Sequence, residues 1–110
     1  MSKYKEIYDI KREIYKHNEQ YGRTYIIGLF VEEMAECTAE LMRVINRKDV
    51  RSERILEEIA DVEIMLDQVK ETLDLRYGEF DRIKEKKIVK TAEKLGIDTR
   101  KEVVQDEKTN

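Results

Sequence analysis

Apolar side chains recur at steps of three and four residues along most of the chain, the spacing of helices that each bury one face. Between Lys3 and about Tyr21 the positions Tyr4, Ile7, Tyr8, Ile10, Ile14, Tyr15 and Tyr21 keep to this rule, with Lys and Glu between them, and predict a first helix. Gly22 reads as its stop, and Thr24 as the N-cap of a second helix, its hydroxyl taking up an otherwise unpaired amide. The second helix carries Ile27, Phe30, Val31, Met34, Thr38, Leu41, Met42 and Ile45 and runs to about Asn46. The polar stretch 46–52 predicts a short connection, with Asp49 or Ser52 capping the third helix. From Ile55 the apolar residues fall at 55, 59, 62, 66, 69 and 73, a four-three alternation that demands a helix with one tightly packed seam. Tyr77-Gly78 is expected to break this third helix. Phe80, Ile83, Ile88, Ala92 and Leu95 then define a fourth, closing at Gly96 with Ile97 packing back as in a Schellman cap. Four helices with short connections predict an all-α four-helix bundle over residues 1–97, with helices two and three as long antiparallel partners at its centre. The segment 98–110 reads as a flexible tail, since beyond Asp98 only Val103 and Val104 are apolar, unless those two dock on a neighbouring subunit.

Composition narrows the function classes. Charged residues are 43% of the 110 and hydrophobic ones 40%, with no proline or tryptophan and four glycines, which suits amphipathic helices with charged outer faces. A chain this short buries a modest fraction of its surface, so self-association is expected to help. The net charge of −3 gives no electrostatic case for nucleic acid or an acidic membrane as partner. One cysteine, Cys37, and one histidine, His17, exclude an internal disulfide and a zinc cluster. The longest apolar run, Tyr25 to Val31, is far short of a membrane span, and the first twenty residues lack the apolar core of a secretion signal, so a soluble cytoplasmic protein is expected.

The acidic residues carry the chemistry. The second helix contains Glu32-Glu33-Met-Ala-Glu36 and the third Glu57-Glu58-Ile-Ala-Asp61, so each offers carboxylates three residues apart on one side. With Met34 as the core direction, Glu33, Glu36 and Glu40 share a flank with Leu29 and Cys37. Glu58 projects about 40° from Val62, inside the apolar arc of its helix, and is expected to be drawn inward. Measured from the connection, Glu36 and Asp61 lie nearly level, so four carboxylates converge if both flanks face one groove. Converging anions hold protons at neutral pH unless a cation neutralises them, and oxygen-only ligands point to a hard divalent ion such as Mg²⁺, commonly bound together with substrate phosphates. A di-iron centre would need Glu-x-x-His on two helices, a spacing His17 does not provide. The bland alternative is a pair of solvated helix faces.

Glu33-x-x-Glu36, 21 intervening residues and Glu58-x-x-Asp61, set in the strings Val-Glu-Glu-Met-Ala-Glu and Glu-Glu-Ile-Ala-Asp-Val-Glu-Ile-Met-Leu, resemble the signature of the all-α nucleoside triphosphate pyrophosphohydrolases, the MazG-like superfamily. The resemblance covers about residues 20–95, most strongly 29–68. It implies hydrolysis of a nucleoside triphosphate to a monophosphate and pyrophosphate, with Mg²⁺, or Mn²⁺ in its place, held by Glu33, Glu36, Glu58 and Asp61. One of these, Glu33 for instance, would serve as general base, with Glu32 and Glu40 as further candidates. It also implies a homodimer or homotetramer with sites at subunit contacts, a second buried face for which Leu29, Leu56, Ile64 and Met65 are available. Basic residues on the last helix contact phosphates in such proteins. Lys84, Lys87 and Lys90 stand there, and Arg51 and Arg54 lie upstream of the second acidic pair; the usual asparagine is missing. A base pocket at Tyr21, Tyr25 and Phe30 would suit the family, although tyrosine stripes such as Tyr4, Tyr8 and Tyr15 more often serve packing. Phosphoribosyl-ATP hydrolysis, or a helical nucleotide-binding or interaction protein without turnover, are the rival readings.

Overall fold

A computed structural model describes residues 6–47, 53–74 and 77–101. Among them are four helices and no strand: α1 (Ile7–Glu19), α2 (Arg23–Arg47), α3 (Glu53–Thr72) and α4 (Tyr77–Lys94). The chain divides into two units, Met1–Asp74 with α1 to α3, and Leu75–Asn110 with α4. The expected helical start at Lys3, the caps Asp49 and Ser52, and Val103 and Val104 lie outside the described residues.

Helix boundaries obey local chemistry, with two corrections. Thr24 is not the N-cap of α2. The chain turns at Gly22, whose φ of 90° is open to glycine at little steric cost, and its carbonyl accepts the first helical bond from Ile26 N at 3.2 Å. Gly22 thereby occupies the cap position and Thr24 falls within the helix. Nor does Tyr77-Gly78 break the chain. Asp74 ends α3 instead, in the left-handed region at φ 55°, and Gly78 lies in the first turn of α4, where amides have no intrahelical acceptor in any case. The backbone end of α4 is as expected: Gly96 N donates to Glu93 O at 3.1 Å and Ile97 N to Ala92 O at 2.9 Å, the paired bonds of a Schellman cap, with Gly96 at φ 74°, while Ile97, expected to pack back, is exposed.

In the first unit α2 and α3 run antiparallel. Ile26, early in α2, clusters with Met65 and Val69, late in α3, and Leu29 and Phe30 pack against them. Further along, Glu40 of α2 meets Arg54 of α3. The face of α2 shielded from water is Ile26, Ile27, Leu29, Phe30, Glu33, Cys37, Glu40 and Val44, and that of α3 is Ile55, Glu58, Val62, Met65, Leu66, Asp67, Gln68, Val69, Lys70 and Thr72. On α3 the predicted seam positions Ile55, Val62, Leu66 and Val69 are shielded, whereas on α2 only Ile27 and Phe30 of the predicted positions are. Met34, taken as the core direction, is 39% exposed, and Val31, Leu41, Met42, Ile45, Ile59 and Leu73 are exposed as well. The shielded face includes Glu33 and Glu40 of the acidic flank, of which Glu40 finds a counter-ion in Arg54, whereas Glu36 is exposed. Of the four residues expected on a second buried face, Met65 is in the core and Leu29 against it, whereas Leu56 and Ile64 are exposed.

Helix α1 is joined to α3 through polar contacts. Tyr15, 1% exposed, places its hydroxyl 2.8 Å from both the Ile64 carbonyl and Asp67 Oδ2. Gln68, also 1% exposed, accepts from Asn18 Nδ2 and donates to the Tyr15 carbonyl, both at 2.9 Å. Burial and the neighbouring Asp67 carboxylate hold the Tyr15 phenol above its usual range, so it remains a neutral donor. Lys11 with Asp67 and Arg12 with Glu71 complete the seam at its solvent edge. Of the tyrosine stripe Tyr15 packs and Tyr8 is exposed, while Tyr4 lies outside the described residues.

Candidate metal centre

Glu33, Glu36 and Glu58 form the centre of the α2–α3 groove: each offers a carboxylate oxygen, and the three atoms lie within 4.8 Å of one another. The helical register explains the convergence. Going back along α2 from Glu40 to Glu36 and then Glu33 takes four and three residues, and going forward along α3 from Arg54 to Glu58 and then Asp61 takes the same steps. Antiparallel helices therefore present three successive rungs: Glu40 with Arg54, Glu36 with Glu58, and Glu33 with Asp61. The first pairs opposite charges, with Arg54 Nε 2.9 Å from Glu40 Oε1. The other two pair like charges.

Burial sharpens the conflict. Glu33 and Glu58 are half-buried, while Glu36 and Asp61 are exposed. One oxygen of each half-buried acid, Glu33 Oε2 and Glu58 Oε2, is cut off from water with no hydrogen-bond partner. Desolvation, then the charges of Asp61, Glu36, Glu58 and Glu32, push the Glu33 carboxyl above its ordinary range. Glu58 is raised for the same reasons, by desolvation first, then by Glu36 and Asp61, with the Arg54 guanidinium acting against the rise. Buried carboxylate oxygens without donors are uncommon because their desolvation is expensive, and the pair calls for a proton or a cation. An oxygen-only donor set of this kind fits Mg²⁺ or Mn²⁺, which accept a few carboxylates and complete their octahedra with water or phosphate oxygen.

The sequence-predicted residues thus divide into groups. Glu33, Glu36 and Glu58 converge, and Asp61 is close enough to both half-buried acids for its charge to raise them, but it is not one of the three convergent donors. Arg54 borders the groove through Glu40. Arg51 lies outside the described residues. Lys84, Lys87 and Lys90 are exposed on α4, in the other unit, where Lys84 lies 3.5 Å from Asp81. Cys37 is half-buried and in no disulfide, and His17 is exposed, its ring edge-on to Tyr21 at 5.6 Å between centroids. Tyr21 and Tyr25 are exposed and in contact at 4.9 Å, while Phe30 packs on the core.

Sequence reasoning missed the Glu40–Arg54 pairing. Its signal was present in the matched steps that place Arg54 opposite Glu40 whenever Glu58 stands opposite Glu36. Among the described residues no helix is long and apolar enough to cross a membrane. No family model, curated protein or solved structure matches the chain, so the reading of its function rests on the groove.

Proposed function

We propose that the chain is a Mg²⁺-dependent nucleoside triphosphate pyrophosphohydrolase, with Mn²⁺ as an alternative ion, that converts a nucleoside or deoxynucleoside triphosphate to the monophosphate and pyrophosphate. The observation that carries this reading is the convergence of Glu33, Glu36 and Glu58 with two buried carboxylate oxygens lacking donors. In this reading Glu33, Glu36 and Glu58 hold the ion, and Asp61, exposed on the next rung, adds negative charge and an outer ligand. A divalent ion there supplies charge neutralisation for the phosphates and makes a neighbouring water more acidic for attack on the α phosphorus. The protein's part is to fix the ligand oxygens on two rigid helices and to screen one side of them from bulk water.

A MazG-like four-helix bundle, assembled as a homodimer or homotetramer, suits the same reading. Its support is the stripe left uncovered in one chain: Met34, Leu41 and Ile45 on α2 with Leu56 and Ile59 on α3. Such apolar stripes commonly mark interaction surfaces. A cytoplasmic site of action accords with the free cysteine.

Pyrophosphate release from a panel of canonical, deoxy and oxidised nucleoside triphosphates, with and without Mg²⁺, tests the proposal. Turnover is expected only with metal. Glu58→Gln and Asp61→Asn should each lower it by about a hundredfold or more while leaving the far-ultraviolet circular dichroism unchanged, since they remove charge without volume. Near-normal activity in either variant defeats the ligand assignment. No product from any nucleotide favours a binding protein without turnover.

A further inference from the structure

Glu40 is the one charged side chain buried among the described residues, at 8% exposure. It continues the Glu33–Glu36 stripe, so it invites assignment as a further metal ligand or general base. Its contacts point elsewhere. Glu40 Oε1 lies 2.9 Å from Arg54 Nε and 3.5 Å from Arg43 Nη1, and Glu40 is not part of the convergent group of Glu33, Glu36 and Glu58. Its carboxylate is committed to guanidinium groups rather than to the centre.

Arg54 is the unusual member of this pair. Its side chain is 66% exposed, yet its Nε is tied to a buried carboxylate on the facing helix. The contact at Nε engages one of the five guanidinium donors and leaves the side chain largely exposed, and Glu40 is the ion-pair partner of Arg54 among the described residues. Arg54 also stands one helical turn before Glu58 and is close enough to lower that residue's proton affinity. A largely exposed guanidinium, paired at Nε with a buried acid, therefore borders a groove of four acids.

Charge balance identifies what such a group would meet. One divalent ion does not neutralise four carboxylates, and a polyphosphate arriving there brings further negative charge. A cation at the groove's edge reduces that repulsion, and a guanidinium edge matches the paired oxygens of a phosphate. We infer that Arg54, aimed by the buried Glu40, binds an anionic oxygen of a polyphosphate chain held at the acidic groove, and that Glu40 is a positioning residue outside the metal-ligand set. The inference rests on the proposed function only in taking a polyphosphate as the occupant of the groove.

The test uses the full chain and inorganic tripolyphosphate as probe, with binding measured by calorimetry in the presence of Mn²⁺, and Mn²⁺ affinity measured separately without tripolyphosphate. Arg54→Ala and Arg54→Lys should each weaken tripolyphosphate binding by about tenfold or more, the worth of one charge-assisted hydrogen bond. Mn²⁺ affinity should hold or tighten in both, because a positive charge has left the groove's edge or moved within it. Glu40→Gln should weaken tripolyphosphate binding when Arg54 is present and add nothing in the Arg54→Ala background. Arg54 is exposed, so its variants keep the test decisive even where Glu40→Gln fails to fold. Equal binding by wild type and Arg54→Ala overturns the inference, as does absence of binding by wild type or a fall in Mn²⁺ affinity in Glu40→Gln that persists in the Arg54→Ala background and is as large as that of Glu36→Gln. Binding that depends on Arg54, in a protein that releases no pyrophosphate from any nucleotide, leaves the inference standing and removes the hydrolase.

Discussion

The two sides of α3 treat buried polar atoms in opposite ways. Toward α1, Gln68 has both its amide oxygen and its amide nitrogen satisfied, by Asn18 and by the Tyr15 carbonyl, and the Tyr15 hydroxyl is shared between Ile64 and Asp67. Toward α2, Glu33 and Glu58 each keep a buried oxygen without a donor, and the repulsion of neighbouring acids outweighs the one attraction, of Arg54 for Glu58. The contrast sits on one helix, so it is not a matter of a loosely packed region. The α1 seam closes its own hydrogen bonds, whereas the groove leaves two carboxylate oxygens without a donor from the described residues. The Glu40–Arg54 rung shows that this groove is able to supply an internal counter-ion at one level; at the next two it presents acids to acids.

The comparison is broken most forcefully from the α1 side. Gln68→Ala removes both bonds at once, leaving Asn18 Nδ2 buried without its acceptor, the Tyr15 carbonyl with its helical bond alone and a cavity at a fully buried side chain, so it should cost about 3 kcal/mol in urea denaturation. A loss below about 1 kcal/mol would mean that water replaces the amide and that this seam is less closed than its geometry indicates.

On the α2 side the expected effect has the opposite sign and depends on the ion. Mn²⁺ at a hundredfold excess over its dissociation constant should stabilise the wild type by about 2.7 kcal/mol, as any ligand specific to the folded state does, and Glu58→Gln should lose most of that gain. A melting curve of the wild type that ignores millimolar Mn²⁺ and Mg²⁺ would count against a preformed site.

A smaller effect, in pH, sharpens the same contrast. Glu33 and Glu58 have carboxyls raised above the ordinary 4.5, so the metal-free folded state binds protons more tightly than the unfolded chain does. Their contribution to stability is complete below the unfolded value and is lost as pH rises through the raised folded values. Metal-free wild type should therefore lose stability relative to Glu58→Gln as pH climbs from about 4.5 toward neutrality, as read by chemical denaturation at each pH. With Mn²⁺ present the order should reverse, since the ion competes with protons for the same oxygens. Parallel stability curves for the two proteins without metal would show that the repulsion is relieved by solvent.

Much of this was open to a reader of the residues. The helical repeats place all four helices, and the Gly96-Ile97 cap comes from the need for a left-handed residue at a helix end. The angle between Glu58 and Val62 foretells that Glu58 turns inward, but the level read from the connection is one step out: Glu36 faces Glu58 and Glu33 faces Asp61, where the spacing predicts Glu36 level with Asp61. The properties that are legible are short-range, set by backbone geometry over one or two turns.

The choice of facing stripe belonged to the packed chain. Hydropathy favours Met34, Leu41 and Ile45 on α2, yet Glu33, Cys37 and Glu40 are turned toward the groove instead. A hydropathy scale ranks each side chain by its own transfer from water. The energy of a helix face depends on what the opposite helix offers, and the compensation of Glu40 by Arg54 comes from residues a whole hairpin apart in the chain. The orphaned oxygens of Glu33 and Glu58 are of the same kind: whether a carboxylate has a donor is a property of its surroundings in space, and those exist only once the helices have met.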